Sequence, residues 1–176
     1  METDKSIAGS YFAEAKSSLR QYAHLKCQKK NIELVWFRIF YAYGPSQRAK
    51  SLIPSLISSF KHKKTIEINN LLNANDFIYA GDVVEAFYRA VIMQIQPSIY
   101  NLGTGNSTSV YEVCRLAEEI LFNATKISGN LLTKNSSTKS VDFWADMTKT
   151  KKALNWEAKV NLRSGIIETL QSLGKV

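Results

Sequence analysis

The sequence is poor in the residues that build metal sites and disulfide frameworks. It has two cysteines, Cys27 and Cys114, and two histidines, His24 and His62. The cysteines match no metal-binding spacing and form no disulfide framework, and each histidine stands alone in the sequence. The pattern therefore argues against a metal centre and favours a reducing, cytoplasmic setting.

Long apolar runs are also absent. Nothing approaches the roughly 20 unbroken apolar residues of a membrane-spanning helix, and the polar, acidic start M-E-T-D-K-S does not resemble a signal peptide. The hydrophobic content of 45% and the charged content of 22% are ordinary for a globular protein. We therefore expect no association with a membrane, and a chain that forms one domain or part of a larger one.

The net charge of +8 is concentrated in lysine clusters. One interpretation is attraction to phosphates, on a nucleotide or on a nucleic acid. The other is that they are solvated helix ends and loops. No helix-turn-helix or aromatic RNA-binding signature accompanies them, so a nucleic-acid partner is not expected. The clusters are Lys26/Lys29/Lys30, Lys61/Lys63/Lys64 and Lys149/Lys151/Lys152.

A dinucleotide-binding turn is missing as well. Such a sheet needs a Gly-rich turn after its first strand, with the pyrophosphate on the N-terminus of the next helix. No G-x-x-G-x-x-G occurs in the chain. Gly103-Thr104-Gly105 is Gly-rich and precedes a helical pattern, so it can be a strand-to-helix turn or a phosphate cradle. We interpret it as a turn.

The dominant feature that is present is the apolar run within residues 32–47. Almost every residue from Leu34 to Tyr43 is apolar or aromatic, and Arg38 is the one charge. The run has no two-residue alternation, which is typical of a parallel strand covered on both faces. It stops at Gly44-Pro45. Because ligands bind beyond the C-terminal ends of such strands, we expect a site at residues 41–47.

The rest of the chain alternates between helical and extended patterns, which predicts an α/β sheet with right-handed crossovers. Asp82 and Ser109 are predicted N-caps, each followed after three residues by a capping-box glutamate. Residues 125–137 are polar and poorly patterned. Helices are predicted at 9–30, 51–60, 83–93, 110–122, 148–154 and 162–173, and extended segments at 65–68, 76–79, 98–102 and 141–144.

Several motifs occur in one order and spacing, and together they resemble the C-terminal half of the extended short-chain dehydrogenase/reductases. Members of this NAD-dependent epimerase/dehydratase group, which acts on nucleotide sugars, share R-x-x-N-x-Y-G-P-x-Q, R-D-F-I-x-V-x-D and Y-N-I-G-T-G-x-x-x-S-x-x-E. The matching segments are Lys16, Arg38 with Tyr43-Gly44-Pro45 and Gln47, Asp76-Phe77-Ile78-Tyr79 with Asp82, Tyr100 to Gly105 with Ser109 and Glu112, and Ala145-Asp146 with Lys149 and Leu154-Asn155-Trp156.

The resemblance implies an α/β fold. It would comprise the C-terminal part of a Rossmann-like, doubly wound parallel sheet and a small α/β substrate-binding lobe. Residues 1–48 would be the remnant of the NAD(P)-binding domain. Residues 49–176 would form the substrate-binding lobe, with interleaved elements that return to the sheet.

The same resemblance implies a catalytic tyrosine and a lysine one helical turn later. The lysine is Lys16, but the residue four positions before it is Phe12, which has no ionisable group. Tyr11 is five positions away, which at roughly 100° per residue places it about 140° from Lys16 around a helix. Tyr11 could act only if the helix began late or carried a bulge. Otherwise Tyr11 is an ordinary aromatic residue and Lys16 a solvated one.

The remaining site residues also follow from the resemblance. Lys16, Ile39, Phe40 and Tyr41 are expected to contact NAD or NADP. The expected substrate contacts are Tyr41, Gln47, Ile53 and Asn75. Tyr41 replaces a family asparagine that contacts substrate, and Asn75 replaces an arginine that binds a diphosphate. The segments that would form the site therefore match the family motifs better than the residues that would contact the substrate or transfer a proton.

Two functions remain open. One is the C-terminal portion of an NAD(P)-dependent nucleotide-sugar epimerase, dehydratase or reductase, incomplete as a catalyst alone. The other is a non-catalytic relative that binds a nucleotide sugar or a protein. The expected small-molecule partner is a UDP-, dTDP-, GDP- or CDP-sugar. A half-sheet with an open edge also predicts a homo-oligomer or a separate N-terminal half as protein partner.

Overall fold

The computed structural model describes residues 10–123, 131–133 and 140–172. Its helices are α1 (Tyr11–Lys29), α2 (Leu52–Lys61), α3 (Ala80–Ile92), α4 (Val110–Phe122), α5 (Thr148–Leu154) and α6 (Leu162–Ser172). Its strands are β1 (Trp36–Ile39), β2 (Tyr41–Tyr43), β3 (Ile66–Ile68), β4 (Ala74–Asn75), β5 (Phe77–Tyr79), β6 (Ile99–Leu102), β7 (Thr108–Ser109), β8 (Leu131–Thr133) and β9 (Asp142–Phe143). The prediction of an α/β fold is confirmed.

The strand pairs are mostly parallel. β1 pairs with β6, β2 with β5 and β3 with β8 in parallel, while β4 lies between β7 and β9. The apolar run from Leu34 to Tyr43 therefore changes partner along its length. The Phe40 N–H donates to the Leu102 carbonyl, whereas the Tyr41 N–H donates to the Asp76 carbonyl. This change of partner brings the start of β5 and the end of β6 to the same segment.

Two apolar clusters form the core. The first joins the buried side of α2 to α4 and α6, with Tyr43 and Phe77 beneath them. The second joins α3 and α5 to the end of the β6 ladder, with Trp156 among its members. The apolar spacing of these five helices accounts for this packing, since each presents buried residues on one side.

Helix α1 and strand β1 are packed differently from what the sequence predicts. No residue of α1 is buried. Three of the four β1 residues are partly exposed and Ile39 is exposed. The expectation that both faces of this strand are covered was therefore wrong for β1. The physical reason is that no described strand lies on the other edge of β1 and α1 covers it incompletely.

The predicted cap at Asp82 was also wrong. Helix α3 begins at Ala80, with Tyr79 as its N-cap residue. The buried Asp82 carboxylate instead accepts the N–H groups of Lys159 and Val160. By contrast, Ser109 caps α4 as predicted, because its hydroxyl accepts the Glu112 N–H. The strand β8 lies in a stretch whose composition gave no strand signal.

Candidate functional site

Helix α1 carries the position where the resemblance places a catalytic tyrosine. Ser10 caps the helix by accepting the Ala13 N–H, so α1 begins at Tyr11. Phe12 and Lys16 lie four residues apart, and the Lys16 ammonium sits 4.2 Å from the centroid of the Phe12 ring. The two side chains therefore share one face of the helix. At an exposed site such a cation–π contact contributes about 0.5–1 kcal/mol, but a phenyl ring can neither donate nor accept a proton.

Tyr11 lies outside this arrangement. It is 96% exposed and is the first residue of an α-helix that runs unbroken to Lys29. The structure therefore contains neither the late start nor the bulge that would bring Tyr11 toward Lys16. A catalytic role for Tyr11 and Lys16 stays a prediction.

A buried carboxylate organises the ends of the strands. Asp76 has no exposed surface. One of its oxygens accepts the N–H and the hydroxyl of Thr104, both at 2.7 Å. The other accepts the N–H groups of Gly105 at 2.9 Å and Ala145 at 3.1 Å. An ionised carboxylate accepts about four hydrogen bonds, so the side chain of Asp76 is satisfied. It joins the start of β5, the turn after β6 and the segment after β9.

Sequence reasoning included Asp76 in a motif but gave it no role. The available signal was a single acidic residue immediately before the apolar strand Phe77–Tyr79. Such a residue is buried with its strand and must then find donors. Those donors come from turns far away in the sequence, and no local pattern identifies them.

The turn after β6 requires a glycine for reasons of space. A Cβ atom on Gly103 would lie 2.3 Å from an Asp76 carboxylate oxygen and 2.6 Å from the Ala145 Cβ. The amides of the next two residues, Thr104 and Gly105, already donate to Asp76. They do not fit a pyrophosphate, because a carboxylate of the chain itself occupies them. This supports the interpretation of residues 103–105 as a structural turn.

The predicted substrate contacts lie in unlike environments. Tyr41 is 36% exposed, and the centroid of its ring lies 4.7 Å from that of Phe77. Asn75 is partly buried in β4, opposite Thr108 and Phe143. Gln47 donates its side-chain N–H to the Ala42 carbonyl, while its buried side-chain oxygen has no partner among the described residues. Ile53 is 1% exposed and packs in the first core cluster.

The predicted cofactor contacts follow the end of β1. Ile39 is exposed, and the Phe40 ring lies 5.9 Å from that of Phe143. Phe143 and Trp144 are themselves exposed. The structure thus brings Phe40, Tyr41 and Asn75 around the Asp76 centre, whereas Lys16 stands on α1 beside β1. These contacts stay predictions.

Two other tyrosines near the site are held in their neutral form. Burial, followed by the nearby Asp82 carboxylate, raises the pKa of Tyr43 well above its ordinary value. A hydrogen bond to the Glu168 carboxylate raises the pKa of Tyr79 to about 12. Neither tyrosine is therefore suited to take up a proton near neutral pH. Tyr43 has a packing role, since a Cβ on Gly165 would lie 2.2 Å from its hydroxyl oxygen.

A comparison with models of protein families shows which family the chain belongs to. The model of the family described as GDP-mannose 4,6 dehydratase matches residues 1–169. The chain belongs to this family. The resemblance inferred from the motifs is thereby confirmed.

Individual relatives agree with the family assignment. The chain is 27% identical to dTDP-D-glucose 4,6-dehydratase of Mus musculus over 175 residues, which is 91% of this chain and 46% of that protein. It resembles the structure of dTDP-glucose 4,6-dehydratase from Bacillus anthracis in complex with NAD, with a TM-score of 0.84 and 20% identity, covering 99% of this chain and 55% of that one.

A second solved structure has the same fold. UDP-glucose 4-epimerase of Thermotoga maritima, solved with UDP-glucose, matches with a TM-score of 0.78 and 23% identity, covering 92% of this chain and 52% of that one. The chain therefore spans about half the length of the relatives it matches.

Within residues 10–123 and 140–172, no three metal-ligating side chains come together. Nor does any helix of that part of the chain have the length and apolarity needed to cross a bilayer.

Proposed function

We propose that this chain is the C-terminal, substrate-binding portion of a nucleotide-sugar epimerase or dehydratase and is not a complete catalyst alone. The observation that carries the proposal is a contrast between two parts of the site: the contacts that hold its segments together are present, whereas the position of the catalytic tyrosine holds a phenylalanine. Asp76 holds three segments together at the strand ends, yet Phe12 occupies the face of α1 beside Lys16.

Relatives named for dTDP-glucose and UDP-glucose support a nucleotide sugar as the ligand. The ligand would lie over Tyr41 and Asn75, next to the Asp76 centre. Because Asn75 replaces a diphosphate-binding arginine, we expect weaker binding than in a complete enzyme. Arginine grips phosphate bidentately with a permanent charge, and an amide supplies neither.

The described residues could hold only part of NAD or NADP. The ammonium of Lys16 is exposed on α1 and can hold a ribose hydroxyl. The amides of the 103–105 turn are occupied by Asp76. The pyrophosphate of NAD or NADP would thus need a Gly-rich turn from another polypeptide segment. In this proposal residues 1–48 belong to the cofactor-binding unit and residues 49–176 to the substrate lobe.

The binding claim can be tested by calorimetric titration of the chain with UDP-glucose, dTDP-glucose, GDP-mannose and a CDP-sugar, without cofactor. We expect weak binding of at least one of them. Asn75→Arg restores the missing cation and should tighten binding by about tenfold. Asn69→Arg adds the same charge at an exposed position and serves as the control. If neither the native chain nor Asn75→Arg binds any of these ligands, the proposal is wrong.

A further inference from the structure

A cavity of about 590 Å³ lies between the C-terminal half of α1 and the segments that lead into β1 and β6. Its volume is within the range of small-molecule sites, which is about 300–1,000 Å³. Trp36, at the start of β1, lines this cavity, whereas Phe40, just after the other end of the strand, bonds to Leu102 beside the Asp76 centre. The cavity is therefore distinct from the nucleotide-sugar site proposed above.

One face of α1 presents three chemically active side chains to the cavity. Arg20, His24 and Cys27 all line it, and their spacing of four and three residues places them on the same side of the helix. The rest of the lining includes apolar side chains, among them Leu34 and Trp36. The cavity thus combines an apolar surface with a few polar groups, which is the usual composition of a ligand site.

Cys27 supplies a nucleophile to this cavity. Its thiol is free and partly exposed. The other cysteine of the chain, Cys114, is buried in the first core cluster, and no residue of α1 belongs to that cluster. A disulfide between the two would require Cys114 to leave the core, since disulfide geometry needs Cα atoms within about 7 Å. Cys27 is therefore available to a disulfide from outside the chain.

Opposite charges flank Cys27 along the chain. Arg20 lies two helical turns before it, about 10 Å along the helix axis, and Glu33 follows it beyond the end of α1. Both side chains line the cavity. Neither forms a hydrogen bond or an ion pair within the described part of the chain. An occupant with both a carboxylate and an ammonium group complements them, whereas an occupant with one kind of charge meets a like charge.

We propose that Cys27 is a site of thiol–disulfide exchange, and that the cavity seats a small peptide disulfide that carries carboxylate and ammonium groups. Cys27 loses its proton to solvent, and its thiolate attacks one sulfur of the disulfide. That S–S bond breaks as the bond to Cys27 forms. Cys27 is thereby oxidised, while the departing half of the reagent is reduced and takes up a proton. The inference goes beyond the proposed function and does not depend on it.

The test compares three disulfides: oxidised glutathione, which carries both kinds of charge, cystamine, which carries ammonium groups alone, and dithiodipropionate, which carries carboxylates alone. Peptide mass spectrometry gives the rate at which each modifies Cys27 in the native chain. Division by the rate in denaturant removes the intrinsic reactivity of each reagent. We expect the resulting ratio to be about tenfold higher for oxidised glutathione than for the other two.

Charge-removing variants make the test specific. Arg20→Gln should slow the two carboxylate-bearing reagents and not cystamine, and Arg20→Lys should retain most of the native rate. Glu33→Gln should slow the two ammonium-bearing reagents and not dithiodipropionate. Lys29→Gln and Glu14→Gln remove the same charges from exposed positions of α1 that do not line the cavity. Neither control should change the order of the three reagents.

NMR of the glutathione adduct shows where the attached group lies. The indole N–H resonance of Trp36 should shift, because Trp36 lines the cavity, while that of Trp156, buried in the second core cluster, should not. Equal rate ratios for the three disulfides would contradict recognition by the two charges. An equal effect of Arg20→Gln and Lys29→Gln would contradict a role for Arg20 in particular, and an unshifted Trp36 indole would place the adduct outside the cavity. Each of these results would overturn the inference.

Discussion

One carboxylate oxygen of Asp76 accepts both the backbone N–H and the hydroxyl of Thr104, each at 2.7 Å. This double contact fixes the first residue after Gly103 relative to the start of β5. It also explains why the turn is so close-packed, since the carboxylate occupies the space that a side chain at position 103 would need.

Asp76→Asn should destabilise the protein strongly. The amide keeps the shape of the side chain but places an NH₂ group against N–H donors and removes the charge. We expect a loss of roughly 3 kcal/mol in the free energy of unfolding, because buried charge-assisted hydrogen bonds are lost and donors are left unpaired. Urea denaturation measures this loss of stability. Asp142→Asn, at an exposed position in β9, should stay within about 0.5 kcal/mol of the native value.

Gly165→Ala should be destabilising, and Tyr43→Phe should partly rescue it. The new Cβ would meet the Tyr43 hydroxyl oxygen at 2.2 Å and the ring carbon that bears it at 2.8 Å. Overpacking of this kind costs about 1–3 kcal/mol. A double-mutant cycle by chemical denaturation gives the coupling. Strictly additive single effects would show that the two residues do not meet as described.

Stability should fall in alkaline solution partly through Tyr79. Its hydrogen bond to Glu168 raises its pKa to about 12, from an ordinary value of 10.0. The unfolded chain thus loses this proton first, so the stabilisation is complete below about pH 10 and is lost as the pH rises toward 12. Tyr79→Phe should show a shallower decline over this window. Glu168→Gln should shift one tyrosine to a lower pH in a spectrophotometric titration, and an unchanged titration would argue against the contact.

The two cysteines should differ sharply in reactivity. Cys27 is partly exposed, whereas Cys114 is buried, and burial followed by the charge of Glu118 raises its pKa to about 12. Alkylation proceeds through the thiolate. Iodoacetamide should therefore label Cys27 in the native protein and both residues in denaturant, as read by peptide mass spectrometry. Rapid native labelling of Cys114 would show that α4 opens readily.

Phe12→Tyr should place a phenol beside the Lys16 ammonium. A nearby positive charge favours the phenolate, so the new tyrosine should titrate below the ordinary pKa of about 10. The difference spectrum between the variant and the native chain isolates this group. Adding Lys16→Met should return the pKa to its ordinary range. If the single variant already titrates normally, the two positions do not share a face in solution.

Much of the element order could be predicted from the sequence, because it depends on local periodicity. The helix at 148–154 was predicted with its observed bounds, and α2 and α6 within about one residue. The spacing of Phe12 and Lys16 on one face also followed from helix geometry alone. These features need no knowledge of distant residues.

What could not be predicted depends on contacts between distant segments. The role of Asp82 is an example, since a first-turn aspartate has the pattern of a cap but here bonds to amides at Lys159 and Val160. The change of strand partner between Phe40 and Tyr41 is another example. The sequence of an apolar run does not indicate where the strand that pairs with it ends. The assignments of Tyr11, Ile39, Gln47 and Ile53 to a working site stay predictions.

The hydrogen bonds of Asp76 have a consequence for synthesis of the chain. They join it to residues 28, 29 and 69 positions later. Contacts so distant in sequence form late, because a long loop must close before any of them can stabilise the chain. A nascent chain on the ribosome therefore cannot complete this centre until Ala145 has left the exit tunnel. Until then the Asp76 carboxylate and the turn after β6 lack one of the segments that hold them in place.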